Sequence, residues 1–188
     1  MEQNSDMVWM KASEAWFLLA EAKLTLGLGA QSVQEYYETG VRTSFAECGV
    51  SGADSYLADT EKLPLTTFTD PVNNRGTNVS GMLSNLTVAW NSEAGEEEQL
   101  ERIMIQKWIA LFPNGQEAWS EMRRTGYPGF VTINSYSYQQ EVANGELISR
   151  LKFPTTEYSN NSENTQTAAA LLGGNDTAGT RLWWDVKR

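Results

Sequence analysis

The stretch from Ile105 to Pro128, IQKWIALFPNGQEAWSEMRRTGYP, constrains the fold more than any other part of this chain. It carries two helical patterns, each bearing large aromatic residues, separated by a Pro-Asn-Gly break. Leu100, Ile103, Met104, Trp108 and Leu111 recur at helical spacing and give the first pattern one apolar face. Pro113 ends that helix, because proline lacks an amide donor and clashes with the preceding turn. Asn114 is placed to cap the next helix, with Glu117 three residues on as in a capping box. Ala118, Trp119 and Met122 supply a second stripe, and Gly126 with Pro128 closes the segment. So many large side chains predict a core contact between two helices. Trp108 and Trp119, like Trp16 upstream, are assigned to the core.

A second helical pair precedes it. Ala12, Ala15, Trp16, Leu19, Ala22 and Leu26 recur at helical spacing from about Met10 to Leu26, and Gly27-Leu-Gly29 stops the pattern. Ser32 followed by Glu35 reads as a capping box for a helix reaching roughly Cys48, with Val33, Tyr37, Val41, Phe45 and Cys48 as its buried stripe. So short a connection makes the two helices antiparallel. The pair resembles a tetratricopeptide unit. Trp16, Leu19 and Ala20 fall at its large, large and small positions, and Tyr37 and Gly40 at its aromatic and small ones. Close crossing of helices needs a small residue opposite a large one. The unit occurs once, and one unit cannot bury its own face.

With 188 residues the chain is expected to form a single domain, 1–188, helical over 1–126 and rich in loops over 127–188. Its formal net charge of −10 makes nucleic acid a poor partner, since phosphate binding needs a basic face. The chain has no histidine, which removes Ser-His-Asp and Cys-His catalysis and imidazole metal sites. Cys48 is the single cysteine, so no intrachain disulfide forms, and a buried structural thiol is expected. No apolar run approaches the roughly 20 residues that span a bilayer. Residues 1–10 carry neither the basic nor the apolar region of a secretion signal. No cofactor is expected.

Between Gly49 and Glu93 the periodicity weakens. Ala53 to Ala58 reads as one or two helical turns, Thr60 to Ser80 as turns, and Leu86 to Trp90 as a short strand. Glu96, Glu97 and Glu98 suit the positive end of a helix dipole, and Glu98 precedes Arg102 at the spacing of a surface pair. Neighbours on one helix turn cannot flank a scissile glycosidic bond, so this run is read as a solvated helix start. Asp70 to Asn78 offers oxygen ligands without the spacing of a calcium loop. Phe130 to Ile133 and Leu147 to Phe153 are expected to form a short β-hairpin, and Thr165 to Leu172 a short helix before the Gly173-Gly174 turn. The apolar ending Leu182-Trp183-Trp184-Asp185 is expected to pack back on the helices.

Taken together, SEAWFLLAEA, YYETGVRTSF, QKWIALFPNGQEAW, RRTGYP, RLKFPTTEY and LWWD, in this order, resemble the C-terminal part of the SusD/RagB family, in its SusD-like branch. The resemblance implies an all-α, tetratricopeptide-like α-α superhelix with long irregular loops. It further implies a non-enzymatic lipoprotein on the extracellular face of the outer membrane in Bacteroidota. Such a protein captures glycans or peptides as partner of a SusC-like TonB-dependent transporter. Its membrane contact is only a lipid anchor, expected upstream of this chain. An apolar face near Met7 to Trp16 is then expected to be open here, covered by upstream sequence or another subunit. A helical protein-interaction scaffold without a small-molecule ligand is the alternative.

Sugars stack their C–H faces on aromatic rings and hydrogen-bond their hydroxyls to planar polar groups. Trp90 beside Asn91, and Tyr136 and Tyr138 within NSYSYQQ, lie outside the strong helical stripes and are the candidate ligand contacts. Arg123-Arg124 suits a ligand anion, or else ties the helix end to Asp185 or to loop carbonyls.

Overall fold

A computed structural model describes residues 8–63, 67–68, 79–80, 84–129, 141–142 and 147–185. Its elements in order are α1 (Ala12–Leu26), α2 (Val33–Glu47), α3 (Ala53–Leu57), β1 (Thr67–Phe68), β2 (Val79–Ser80), α4 (Glu96–Ala110), α5 (Gly115–Thr125), α6 (Thr155–Asn160) and α7 (Ser162–Ala170). The fold is all-α. β1 and β2 form an antiparallel pair two residues long, with Thr67 opposite Ser80. The chain groups into two units: Met1–Trp119 with Tyr127–Phe130, and Ser120–Gly126 with Val131–Arg188.

In the first unit α1 packs on α2 and α4. Phe17, Ala20, Tyr37, Val41, Leu100, Ile103 and Met104 form the centre of its core. Gly40 of α2 lies against the Phe17 ring, so closely that a Cβ there would sit 2.8 Å from a ring carbon. The small-against-large crossing expected for this pair is therefore present, with Phe17 as its large member. Gly27 ends α1 in the left-handed conformation at φ +70°, and its N–H donates to the Lys23 carbonyl. Ser32 and Glu35 form the complete capping box at the start of α2: Ser32 N–H donates to Glu35 Oε2 at 2.7 Å and Glu35 N–H to Ser32 Oγ at 3.2 Å.

Two long-range polar ties fix the ends of these helices. The start of α1 is capped from across the unit by Glu47, the last residue of α2. Its carboxylate accepts from Ser13 N–H at 3.1 Å and Ser13 Oγ at 2.6 Å. A negative group at a helix N-terminus satisfies orphan amides and the dipole together. Lys11 Nζ donates to the carbonyls of Ala110 (2.9 Å) and Phe112 (2.7 Å), placing a positive charge at the end of α4.

Several expectations are corrected here. Of the expected α1 stripe, Ala12, Ala15, Leu19 and Leu26 are exposed, while Trp16 and Ala22 are half-buried and Trp16 packs on the core; the buried face is Ser13, Glu14, Phe17 and Ala20. Burial of Ser13 follows from the Glu47 cap, which brings that side inward. Cys48 is exposed, because α2 ends at Glu47 and the thiol lies beyond its last turn. Trp108 and Trp119 are each 38 % exposed rather than core: Ile103, Met104 and Lys107 fill the inner face of α4, and Ala118 and Met122 are the buried apolar side chains of α5. Glu98–Arg102 pairs as spaced, at 3.3 Å, but Arg102 is buried, its Nε donating to the Thr87 carbonyl at 3.0 Å. Residues 86–90 form no strand. Their backbone groups bond elsewhere: Val88 O accepts from Tyr37 Oη at 2.6 Å, and Ala89 N–H donates to Asp59 O at 3.2 Å.

The second unit is organised by polar groups. Asp176 accepts from Arg150 Nη1, from Tyr158 Oη at 2.9 Å and from the Phe153 N–H at 3.2 Å. Arg150 also lies 5.0 Å from the centre of the Phe153 ring. Ser149 and Arg150 N–H groups both donate to Ala178 O. This explains why residues 147–153 form no strand: their donors go to Asp176 and Ala178 instead. Phe130 to Ile133, the other half of the expected hairpin, lie outside the described residues. The late helix is α7, at Ser162–Ala170, and α6 precedes it after Pro154. Trp183 is 89 % exposed, so the LWWD ending does not pack as expected. It closes a turn, with Asp185 N–H donating to Leu182 O at 2.9 Å, and that turn directs Trp183 outward.

Candidate functional site

Trp90 is half-buried beside Tyr37, the two ring centres 5.2 Å apart and tilted by 44°. Tyr37 is itself buried, its phenol held by the Val88 carbonyl and pushed well above its usual pKa by burial, with Tyr56 nearby adding to the shift. The loop before α4 thus sets one side of the Trp90 indole on the helical core. Asn91 beside it is exposed, and its Oδ1 accepts from Glu93 N–H at 3.0 Å. Tyr136 and Tyr138 lie outside the described residues, as does Asp70 to Asn78. Among the described residues no group of His, Cys, Asp or Glu is arranged to hold a metal ion.

The start of α4 gathers charge around a tyrosine. Tyr127 Oη donates to Glu97 Oε2 at 2.9 Å, and burial followed by that carboxylate pushes the phenol up to about 12. Glu101 is raised by burial and then by Glu98, against the Gly129 N–H that bonds it. These groups are locked to the protein's own partners: Glu98 to Arg102, Glu97 to Tyr127 and Glu101 to Gly129. The arrangement holds a loop against a helix start, as the dipole favours.

Sequence reasoning missed the aromatic surface at the turn from α4 to α5. Trp108, Ile109, Phe112, Pro113 and Ala118 line a cleft of about 460 Å³ with Asn114 at its edge. A second hollow of about 520 Å³ lies between Trp9, Met10, Leu111 and Pro113. Trp9 is 85 % exposed and Phe112 79 %. The open apolar face expected near Met7 to Trp16 is present at Val8, Trp9 and Met10. The Pro-Asn-Gly break was its only signal in the sequence, since a turn between aromatic-rich helices leaves rings at its rim. The first cleft, apolar apart from Asn114, fits an apolar or C–H-rich surface, whereas Lys11 and Glu14 also line the second.

In the second unit Arg123 Nη2 donates to the Ser149 carbonyl, and Arg124 Nη2 to Glu121 Oε2 at 2.5 Å. The loop-carbonyl tie is thus the arrangement present, in preference to an open anion fork.

Residues 1–185 match the SusD-like family, described as "Susd and RagB outer membrane lipoprotein". Among solved structures, a SusD homologue from Bacteroides thetaiotaomicron is 41 % identical with a TM-score of 0.85, over 100 % of this chain and 40 % of its own. A chitin-binding SusD homologue from Flavobacterium johnsoniae is 42 % identical with a TM-score of 0.82, over 95 % of this chain and 36 % of its own. A SusD homologue from Bacteroides uniformis is 39 % identical with a TM-score of 0.87, over 100 % and 38 %. No curated protein matches. The chain spans about two-fifths of the length of these solved relatives.

Proposed function

Since this chain belongs to the SusD-like family of outer-membrane lipoproteins, we propose that it serves in non-enzymatic nutrient capture at the outer membrane. In this reading it forms part of a lipid-anchored protein on the extracellular face, which binds a glycan or peptide and passes it to a SusC-like TonB-dependent transporter. The observation that carries the proposal is the family match across residues 1–185. The chitin-binding relative at 42 % identity favours a glycan over a peptide. Trp90 remains the proposed sugar contact in the first unit: one side of its indole is braced by Tyr37, which holds the ring for stacking at little entropic cost. Tyr136 and Tyr138 are proposed as further sugar contacts from their sequence context alone.

The alternative, a helical scaffold whose ligand is another protein, draws on the cleft between Trp108 and Phe112. Titration calorimetry with chitin oligosaccharides and with a mixed peptide pool separates the two. Capture predicts saturable binding of one class, weakened at least tenfold by Trp90→Ala. Absence of both, with retention on an immobilised SusC-like transporter, replaces it with the scaffold.

A further inference from the structure

Side chains of α1, α2, α3 and α4 line a hollow of about 200 Å³ inside the first unit. Phe17 and Val41, both removed from water, and the half-buried Phe45 give it apolar walls, and Ile109, 50 % exposed, stands towards solvent. The Tyr56 ring lies 5.3 Å from that of Phe45, tilted by 44°. Ser44, Tyr56 and Gln106 bring polar groups to this lining.

Gln106 lies on α4 and is 7 % exposed, and its Oε1 accepts from Tyr56 Oη at 3.1 Å. Burial raises the Tyr56 phenol, so it stays protonated and the bond keeps its direction. That bond engages the carbonyl side of the amide. Gln106 Nε2 keeps two donors with no acceptor among the described residues, and the Ser44 hydroxyl makes no hydrogen bond among them either. Buried donors are normally satisfied, and a few polar groups set in apolar walls are the pattern of a small-molecule site. A sugar ring fits it badly, because hydroxyls around its whole rim would face Phe17, Val41 and Phe45 unpaired. A cavity of about 150 Å³ with aliphatic and aromatic walls holds a benzene ring, so this hollow has room for one ring and a short polar substituent.

We propose that this hollow binds a single-ring aromatic molecule bearing a carbonyl oxygen, which accepts from Gln106 Nε2 while the ring lies among Phe17, Val41 and Phe45. The site does not include Trp90 and stands whichever nutrient, if any, the protein captures.

The test titrates the 188-residue chain with acetophenone and with ethylbenzene, which has nearly the same shape without the carbonyl. Binding is followed by the NMR signals of the Gln106 side-chain amide and of the Val41 and Ile109 methyl groups. The expected result is saturable binding of acetophenone at millimolar concentration, with the Gln106 amide signals shifted, and binding of ethylbenzene weaker by about fivefold or more. Gln106→Leu removes the donors at similar volume, so acetophenone falls to the level of ethylbenzene while ethylbenzene, which reports that the hollow is intact, binds as before. Equal binding of the two probes by the parent chain overturns the proposal without recourse to a variant. So does undiminished acetophenone binding by Gln106→Leu, or the absence of shifts with either probe, which leaves the hollow to water.

Discussion

The two units of this molecule are held by different chemistry. In the first, Phe17, Tyr37, Val41 and Ile103 are almost wholly removed from water, and their contacts repeat turn by turn along α1, α2 and α4. In the second, the described loops converge on one carboxylate, Asp176, which takes donors from Arg150, Phe153 and Tyr158. Apolar burial is spread over many small contributions, each roughly proportional to area. A carboxylate with three partners concentrates its contribution at a point, where one changed atom removes the whole arrangement.

The largest effect that separates the units is at Phe17. Phe17→Ala empties the seam opposite Gly40 and is expected to cost about 3–5 kcal/mol, read by urea unfolding of the 188-residue chain. Leu19→Ala, two residues on in the same helix, is expected to cost under about 1 kcal/mol, because Leu19 is open to solvent. Equal losses at the two positions would mean that the outer stripe is already covered in the isolated chain.

This pair of positions also marks how far the sequence can be read. The helices were legible from periodicity and caps: α1 ends at Gly27, α2 starts at Ser32 with Glu35, and Asn114 Oδ1 accepts from Glu117 N–H at 3.3 Å at the start of α5. The inward face of α1 was not. Ala15-Leu19-Ala22-Leu26 and Ser13-Phe17-Ala20 are both helical stripes, and a single sequence ranks the first higher because it lacks a serine. Only the partner decides, and the partner of Ser13 is Glu47, 34 residues away. Trp108 illustrates the same limit, since an aromatic at helical spacing fits equally well in a core and on the rim of a cleft. Asp176 was hidden for another reason. Polar convergence has no period, so Gly-Gly-Asn-Asp reads as a turn, and nothing in it points 26 residues back to Arg150. The candidate ligand contacts stand in between: Trp90 is a candidate because it lies outside the strong helical stripes, which says where it is and not what it touches.

The second expected effect is at the carboxylate. Asp176→Asn keeps the shape but removes the charge facing Arg150, whose side chain is buried, and is expected to cost about 2 kcal/mol, seen as faster amide exchange over residues 147–158 and 173–180. Burial alone would raise the Asp176 carboxyl, but donation from Arg150, Tyr158 and the Phe153 N–H outweighs it and holds the group below its usual range. A depressed folded pKa contributes stability that is complete above the unfolded value, near 3.9, and is lost as pH falls through the folded value beneath it. Protection of these segments is therefore expected to stay level from pH 7 to about 4 and to fall below that. In Asp176→Asn this part of the acid dependence disappears. A fall already at pH 5–6 in the parent chain would mean that the second unit rests on something other than this carboxylate.

The smallest effect sharpens the comparison from the opposite side, because it places a point-like polar device inside the apolar unit. Ser32 Oγ accepts the Glu35 N–H, while Glu35 Oε2 accepts both the Ser32 N–H and the Ser32 hydroxyl. These bonds hold the Glu35 carboxyl below its usual range, the backbone bond to Ser32 acting first and the hydroxyl second. Yet the site is exposed, so water replaces whatever the side chains cease to provide. Ser32→Ala is therefore expected to cost only about 1 kcal/mol, and Ser32→Gly a few tenths, as a lower melting temperature without loss of cooperativity. The same type of bond made by Asp176 costs more to break because the Arg150 charge beside it has no water to turn to. Should Ser32→Ala destabilise as strongly as Asp176→Asn, burial would cease to be what distinguishes the two sites, and capping would rank with core packing in holding α2 against α1.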